Sequence, residues 1–369
     1  MTTVISLVPY RFLPARIGGQ KAVALFYKYL SRRVNLLSVT TRSNDPAAAA
    51  GYEVLNILSD SPVRYIDPFY FFTLRRLIRQ RQATHLILEH PYYGWLGVLL
   101  KWSTSVRLVI RSHNIEGLRW KTLGKWWWRI LWSYEKWVHR RADFNLFIQD
   151  ADKEYAISHF SLRPDRCMTM TYGLENDSIP PAAILAESRR QVREKHGIAA
   201  DETLLFFNGA FNYPPNLHAL EDLIMKVNPL LLKQSGFPYK ILVCGKDIPA
   251  SISGTDHPNI LFAGFVDDID LYFRGADIFL NPITEGGGIK TKLVEALGHN
   301  LTAVSASSGA IGINPAWCNG KLLIGEDGDW AAFTALILQA GEIKKDVPPQ
   351  YFDHFYWDNI TRRTVAFIA

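Results

Sequence analysis

The feature that most constrains the fold is an alternation, sustained through both halves of the chain. Short runs rich in β-branched and aromatic residues are separated by longer amphipathic ones. In the first half the strand-like runs fall at 4–8, 35–40, 54–58, 85–89, 107–111, 144–148 and 168–171, with helical patterns at 18–32, 68–82, 92–103, 118–141 and 150–160. In the second half strands are expected at 204–207, 240–243, 260–262, 278–280, 302–305 and 322–324, and helices near 215–235, 267–275, 288–298 and 329–342. Such alternation builds largely parallel sheets covered by helices on both faces. At 369 residues the chain is long for one core, so two doubly wound α/β domains are expected. Ile179-Pro180-Pro181 suits a stiff linker, which sets domains at 1–178 and 184–348. A terminal helix at 350–369 is expected to pack back toward the first domain.

One element carries a chemical signature. A short apolar run at 278–280 leads into Glu285-Gly286-Gly287-Gly288-Ile289-Lys290-Thr291-Lys292, which opens a helical pattern with Ile289, Leu293, Ala296 and Leu297 on one side. Helix N-termini carry unpaired amides and partial positive charge. Two lysines there are unfavourable unless an anion joins them, and glycines let the backbone approach that anion. Glu295 follows, two turns past Gly288 on the same face, where it can accept from a hydroxyl. The layout suits a diphosphate with a hydroxyl-bearing group beyond it, as in a nucleotide-sugar. A solvated glycine turn capping an ordinary helix is the plain alternative.

Composition excludes several classes. Hydrophobic residues make up 48% and charged residues 21%, as in ordinary globular proteins. Cys167, Cys244 and Cys318 are scattered without metal-ligand spacing, which suits a reducing cytosol. The N-terminus enters a strand-like run at once, so no signal peptide is expected, and no apolar stretch reaches the ~20 residues of a membrane span. The net charge of +6 is uneven: residues 1–180 hold 25 Lys/Arg against 14 Asp/Glu, and residues 181–369 hold 16 against 21. Eight of the eleven tryptophans lie in the first half, most of them in 118–141 beside Lys121, Lys125 and Arg129, which recur every four residues. This stretch reads either as an anionic membrane surface contact or as a packed helix with tryptophans in the core and a solvated basic face. No nucleic-acid module is visible, so nucleic acid is not an expected partner. Three Asp-x-Asp tripeptides (Asp150/Asp152, Asp268/Asp270, Asp327/Asp329) stand where helices begin and read as caps, not metal ligands.

Several pieces, in order, resemble glycosyltransferase family 4, of the GT-B fold with two Rossmann-like domains facing a central cleft. They are Phe207-Asn208-Gly209, Pro214-Pro215-Asn216, Val243-Cys244-Gly245-Lys246, 259–266, 275–282 and the 286–297 element, together with Ser112-His113-Asn114-Ile115-Glu116 and Tyr172-Gly173-Leu174 in the first half. The resemblance implies an N-terminal acceptor domain, a C-terminal donor domain and an NDP-sugar glycosyltransferase that retains the donor's anomeric configuration. It implies His113 facing the donor sugar, Lys290 and Lys292 at the leaving diphosphate, and Glu295 at the ribose. Donor-binding backbone is implied at Gly18, Gly19, Gly209 and 285–292, that is Glu285, Gly286, Gly287, Gly288, Ile289, Lys290, Thr291 and Lys292. Arg16 is a further candidate phosphate contact. The resemblance further implies a UDP- or GDP-linked donor, a glycan or lipid-linked acceptor, and hexosyl transfer in polysaccharide synthesis. No cofactor or metal is expected. The location expected is cytoplasmic, peripheral at the inner face of the membrane.

Two departures from the family pattern stand out. The family's Glu-x(7)-Glu pair would put its first acid at Gly287, and Glu285 lies two residues early. Ala210 stands where relatives place an arginine followed by a lysine, so Lys290 and Lys292 would supply that charge. Two rival readings follow: a GT-B epimerase of nucleotide-sugars that needs no acceptor, and a non-catalytic sugar-nucleotide-binding protein.

Overall fold

The computed structural model describes residues 2–16 and 18–369 and divides into two compact units. The first holds the chain up to Glu175 together with Trp357–Ala369, the second Asn176–Tyr356.

Unit 1 is a seven-stranded, wholly parallel sheet in the order β3-β2-β1-β4-β5-β6-β7. Its strands are β1 (Thr3–Val8), β2 (Asn35–Thr41), β3 (Glu53–Leu58), β4 (His85–Glu89), β5 (Arg107–Ser112), β6 (Phe144–Phe147) and β7 (Cys167–Thr169). The helices are α1 (Gly18–Leu30), α2 (Phe69–Gln80), α3 (Gly94–Ser103), α4 (Glu116–Thr122), α5 (Trp128–Arg141) and α6 (Asp150–Phe160). Strand order reverses between β1 and β4, which opens a crevice at their carboxyl ends. Inner residues such as Ile5, Leu37, Leu88, Leu108 and Ile110 are fully or almost fully buried and meet Leu74, Ile78 and Val138 from the helices.

Unit 2 is a six-stranded parallel sheet in the order β10-β9-β8-β11-β12-β13. It begins with α7 (Ala182–His196). The strands are β8 (Thr203–Ala210), β9 (Tyr239–Lys246), β10 (Ile260–Gly264), β11 (Ile278–Asn281), β12 (Thr302–Ala306) and β13 (Leu322–Gly325). Between them run α8 (Pro214–Asp222), a π-turn at Leu223–Val227, α9 (Asn228–Leu231), α10 (Ala250–Ser253), α11 (Ile269–Gly275), α12 (Thr291–Gly298), α13 (Trp330–Ala340) and α14 (Pro349–Phe355). Its switch point lies between β8 and β11. The last helix, α15 (Trp357–Ile368), belongs to unit 1: Trp357 is fully buried, its backbone N–H donates to the Leu174 carbonyl at 2.9 Å, and its ring lies against Phe26 and Tyr172.

All thirteen strands lie where periodicity puts them, but the helices differ. Helix α7 occupies 182–196, between the linker and the first expected strand at 204–207, where no element was expected; Pro181 precedes its first turn and Gly197 ends it at φ 62°. The 118–141 pattern is two helices, because Gly124 at φ 68° breaks it and α4 packs back on α5. Lys121, Lys125 and Arg129 therefore sit on a helix, a loop and a second helix, not on one stripe. The expected terminal helix is likewise two, interrupted at Tyr356 with φ −73° and ψ 126°. The tryptophans divide as well: Trp132 packs on Phe160, Trp128 lies under Lys121 and Arg129, and Trp126 is 83% exposed. No helix among the described residues is long and apolar enough to cross a membrane.

Candidate functional site

In unit 2 the switch point is lined by the end of β8 on one side and the loop leaving β11 on the other. Asn281 closes β11 and is fully buried; its Nδ2 donates to Ser305 Oγ at 2.9 Å and to the Gly309 carbonyl at 3.0 Å. Pro282 and Ile283 are buried, and the chain then emerges as Glu285-Gly286-Gly287, which are exposed. Gly286 and Gly288 adopt φ 81° and 76°, conformations that L side chains rarely take. A Cβ on Gly286 would stand 2.8 Å from Tyr213 Oη.

Helix α12 starts at Thr291, later than the sequence pattern implies. Lys290 is its N-cap residue, with extended backbone and no side-chain cap hydrogen bond, and the first turn holds no acid. The helix thus presents its first amides without a side-chain acceptor. Ile289 precedes the helix, while Leu293, Ala296 and Leu297 face the core as expected.

The two lysines turn different ways. Lys290 Nζ folds back onto its own loop, donating to the carbonyls of Gly286 at 2.8 Å and Gly288 at 3.2 Å. Burial draws its pKa down to about 8. Lys292 reaches across to β8, donating to the Asn208 carbonyl at 2.6 Å and Asn216 Oδ1 at 2.8 Å, with the Phe207 ring 4.8 Å away. Burial first, and then the neighbouring Lys290, bring its pKa down to about 7, while the Glu295 carboxylate on the same helix opposes the fall. Lys292 thus brings an ammonium group to the end of β8, the strand that closes with Ala210. Gly209 is packed so closely that an added Cβ would meet Asn216 at 2.9 Å. Glu285 points to α8, 3.2 Å from His218 Nδ1.

In unit 1 the carboxyl ends of β4 and β5 carry a buried charged network. Glu89 ends β4 and Arg111 lies near the end of β5, both fully or almost fully buried. Arg111 Nη1 reaches the two Glu89 oxygens at 2.9 and 3.0 Å, and Tyr27 Oη donates to Glu89 at 2.6 Å. His113 Nε2 lies 2.7 Å from Glu89 Oε2. Burial works to raise the Glu89 pKa, but Arg111 and His113 win and hold it well below the usual carboxylate range. Burial, then His90 and Arg111, bring His113 down to about 4, so the ring is neutral and donates to Glu89 through Nε2. His90 lies beside it, ring centroids 4.4 Å apart, with Nδ1 3.1 Å from Glu116 Oε1.

Glu116 is the first residue of α4, fully buried, and accepts from Tyr92 Oη at 2.6 Å. The capping is done by Glu135 of α5, whose two oxygens accept from the backbone N–H groups of Glu116 and Gly117, each at 3.0 Å. Gly18 and Gly19 open α1 after β1; a Cβ on Gly19 would meet nothing within 4 Å, so packing does not demand glycine there. Asp268 and Asp329 cap α11 and α13, accepting from Leu271 N and Ala332 N. Asp150 does not cap: it lies inside α6 and pairs with Lys153 and Thr169.

Glu89, Arg111, His90 and Glu135 were not singled out from sequence. Glu89 and Arg111 carried a signal, since each is a charged residue near the end of an apolar strand run at the switch-point edge. Glu135 carried none.

Two doubly wound, parallel-sheet units in one chain are the architecture of the GT-B fold. A glycosyltransferase from Rickettsia africae superposes over 99% of this chain and 97% of its own, with TM-score 0.73 and 12% identity. Anabaena Alr3699/HepE in complex with UDP and glucose covers 100% and 99%, with TM-score 0.71 and 12% identity; at such identity these likenesses speak for the fold alone. Residues 17–175 match the model of Glycosyltransferase Family 4, and residues 202–342 that of Glycosyl transferases group 1. A chitobiosyldiphosphodolichol beta-mannosyltransferase from Debaryomyces hansenii is 22% identical over 269 residues, 66% of this chain. The chain spans 57% of the length of that curated relative. The chain belongs to glycosyltransferase family 4.

Proposed function

We propose that the protein transfers a hexosyl group from a UDP- or GDP-sugar to a glycan or lipid-linked acceptor, with retention of configuration and without a metal. The observation that carries this reading is the β8–β11 switch point. There the start of α12 carries Lys290, folded onto the glycine loop, Lys292, turned to the end of β8, and helix amides with no side-chain acceptor, a set of donors that suits a diphosphate. Glu295, further along α12, would accept from the ribose hydroxyls. As the bond to the sugar breaks, charge grows on the distal phosphate, and fixed cations and amides stabilise it. Anabaena Alr3699/HepE is described in complex with UDP and with UDP-glucose, which supports a nucleotide-sugar donor here. In unit 1, neutral His113 would present its free Nδ1 to the sugar while Glu89 fixes its tautomer. The stretch 118–141, with exposed Trp126 beside Lys125 and Arg129, would rest on an anionic membrane where a lipid-linked acceptor is found. On this reading the enzyme works at the inner face of the membrane, in polysaccharide synthesis.

The test begins with thermal-shift screening against UDP, GDP and their sugars. Nucleotide release is then measured with and without candidate acceptors. Release only when an acceptor is present supports transfer. Equal turnover of the donor without acceptor indicates the epimerase, and tight donor binding with no turnover on any acceptor indicates a binding protein.

A further inference from the structure

Between Asp67 and Asp143 the chain contains three acidic residues, Glu89, Glu116 and Glu135, and all three are buried. The same stretch contains 14 Lys and Arg, of which Arg111 alone is buried; every residue in it is described. These residues build α2 to α5. The steps β3→β4, β4→β5 and β5→β6 all run the same way along the sheet, so right-handed crossovers place α2, α3, α4 and α5 on one face. The outer surface of that layer therefore carries cations and no exposed carboxylate from α2 through α5. Helical layers facing water usually mix both signs.

The same surface exposes large apolar side chains. Phe69 and Phe72 of α2 are 74% and 65% exposed, and Ile66 in the 3-10 turn before them is 74% exposed. Trp126, in the turn just before α5, and Ile130, in its first turn, are 83% and 66% exposed. Helix α2 runs into the amino end of β4, and α5 into the amino end of β6. Both helices therefore begin at the opposite, carboxyl end of the layer, roughly 20 Å away at 1.5 Å per residue. The two apolar groups share that end, and Arg76, Arg79, Arg140 and Arg141 follow toward the other.

We infer that the start of α2, with the 3-10 turn Pro62–Ile66, is a second membrane-docking element, inserting Ile66, Phe69 and Phe72 into the same anionic bilayer as 118–141. The inference rests on the membrane reading of 118–141 given above. A bilayer is the occupant because it is a wide plane of one charge sign over an apolar interior. That matches side chains spread over several helices with aromatic groups at one end and cations throughout. A protein partner would instead meet a compact apolar core depleted in lysine.

The experiment uses the full chain in co-sedimentation with vesicles of phosphatidylcholine, with and without phosphatidylglycerol, at low salt. Wild type should bind only the anionic vesicles and be released by salt. Phe69→Ser/Phe72→Ser should weaken that binding at least tenfold without lowering the melting temperature, since both rings are exposed. Arg76→Gln/Arg79→Gln should weaken it and reduce its salt dependence. If Phe69→Ser/Phe72→Ser binds like wild type while Trp126→Ser/Ile130→Ser does not, the second element is refuted and the reading of 118–141 stands. If wild type binds no vesicle, both fall. If wild type is a dimer that Phe69→Ser/Phe72→Ser converts to monomer, with vesicle binding unchanged, the face joins two copies of this chain and the inference is overturned.

Discussion

Lys292 offers the most quantitative perturbation. Its ammonium is held by Asn208 O and Asn216 Oδ1, and burial and Lys290 bring its pKa from 10.5 to about 7. At about 1.4 kcal/mol per tenfold, keeping it charged at neutral pH costs the fold on the order of 4 kcal/mol. The unfolded chain holds this proton up to pH 10.5 and the folded one only to about 7, so the ligand-free protein gains stability from this group as pH rises between those values. A bound diphosphate reverses the depression. At pH 8 most of Lys292 and about half of Lys290 would take up a proton on binding, on the order of one proton in all. Calorimetric titration with UDP or GDP in buffers of different ionisation enthalpy reads that number directly. Uptake should fall away below pH 6, where both lysines are already charged. Lys292→Met should remove most of it and weaken binding at least tenfold, because a hydrogen bond to a charged group is worth ~1.5–3 kcal/mol. Stability should change little: the buried charge is gone, but two acceptors are left unpaired at ~1–3 kcal/mol each. No proton uptake at pH 8 in a wild type that binds nucleotide, or equal affinity in Lys292→Met, would refute the reasoning.

Glu295→Ala and Lys290→Ala should each cut activity at least tenfold with the fold intact. The Lys290 variant should also lose protection of the 285–288 amides in hydrogen exchange, because Nζ ties that loop's carbonyls. His113, with its folded pKa lowered to about 4, subtracts stability as pH falls from 6.5 to 4. In urea unfolding, His113→Gln should therefore gain on wild type across that window by up to ~3 kcal/mol, and a constant difference would count against a neutral buried ring. Since Asp268 and Asp329 are committed as helix caps, excess EDTA should leave most activity; complete loss restored by Mn²⁺ or Mg²⁺ would contradict this.

The strands were legible because buried parallel strands are written as short runs of Val, Ile, Leu and Phe bounded by polar or turn-forming residues. Helix breaks were less legible. Gly124 and Tyr356 interrupt amphipathic patterns that continue on both sides, and α7 carries Arg189, Arg190, Glu187 and Glu194 on its exposed side, so its apolar stripe is thin. The glycine loop could be read because positive φ selects glycine. Which lysine faces β8 could not, since one residue of difference in the helix start decides it. The Glu89–Arg111–His113 network depends on β4 and β5 lying side by side, and the distance in sequence between them hides it.

The central claim is that the loop after β11 and the start of α12 hold the donor diphosphate. A structure determined with bound UDP or GDP tests it most directly. The diphosphate should lie against the amides of 286–291 and within hydrogen-bond reach of Lys292 Nζ, with the ribose hydroxyls on Glu295. A nucleotide bound elsewhere, or bound here with Lys292 still turned to Asn208 and Glu295 untouched, would contradict it.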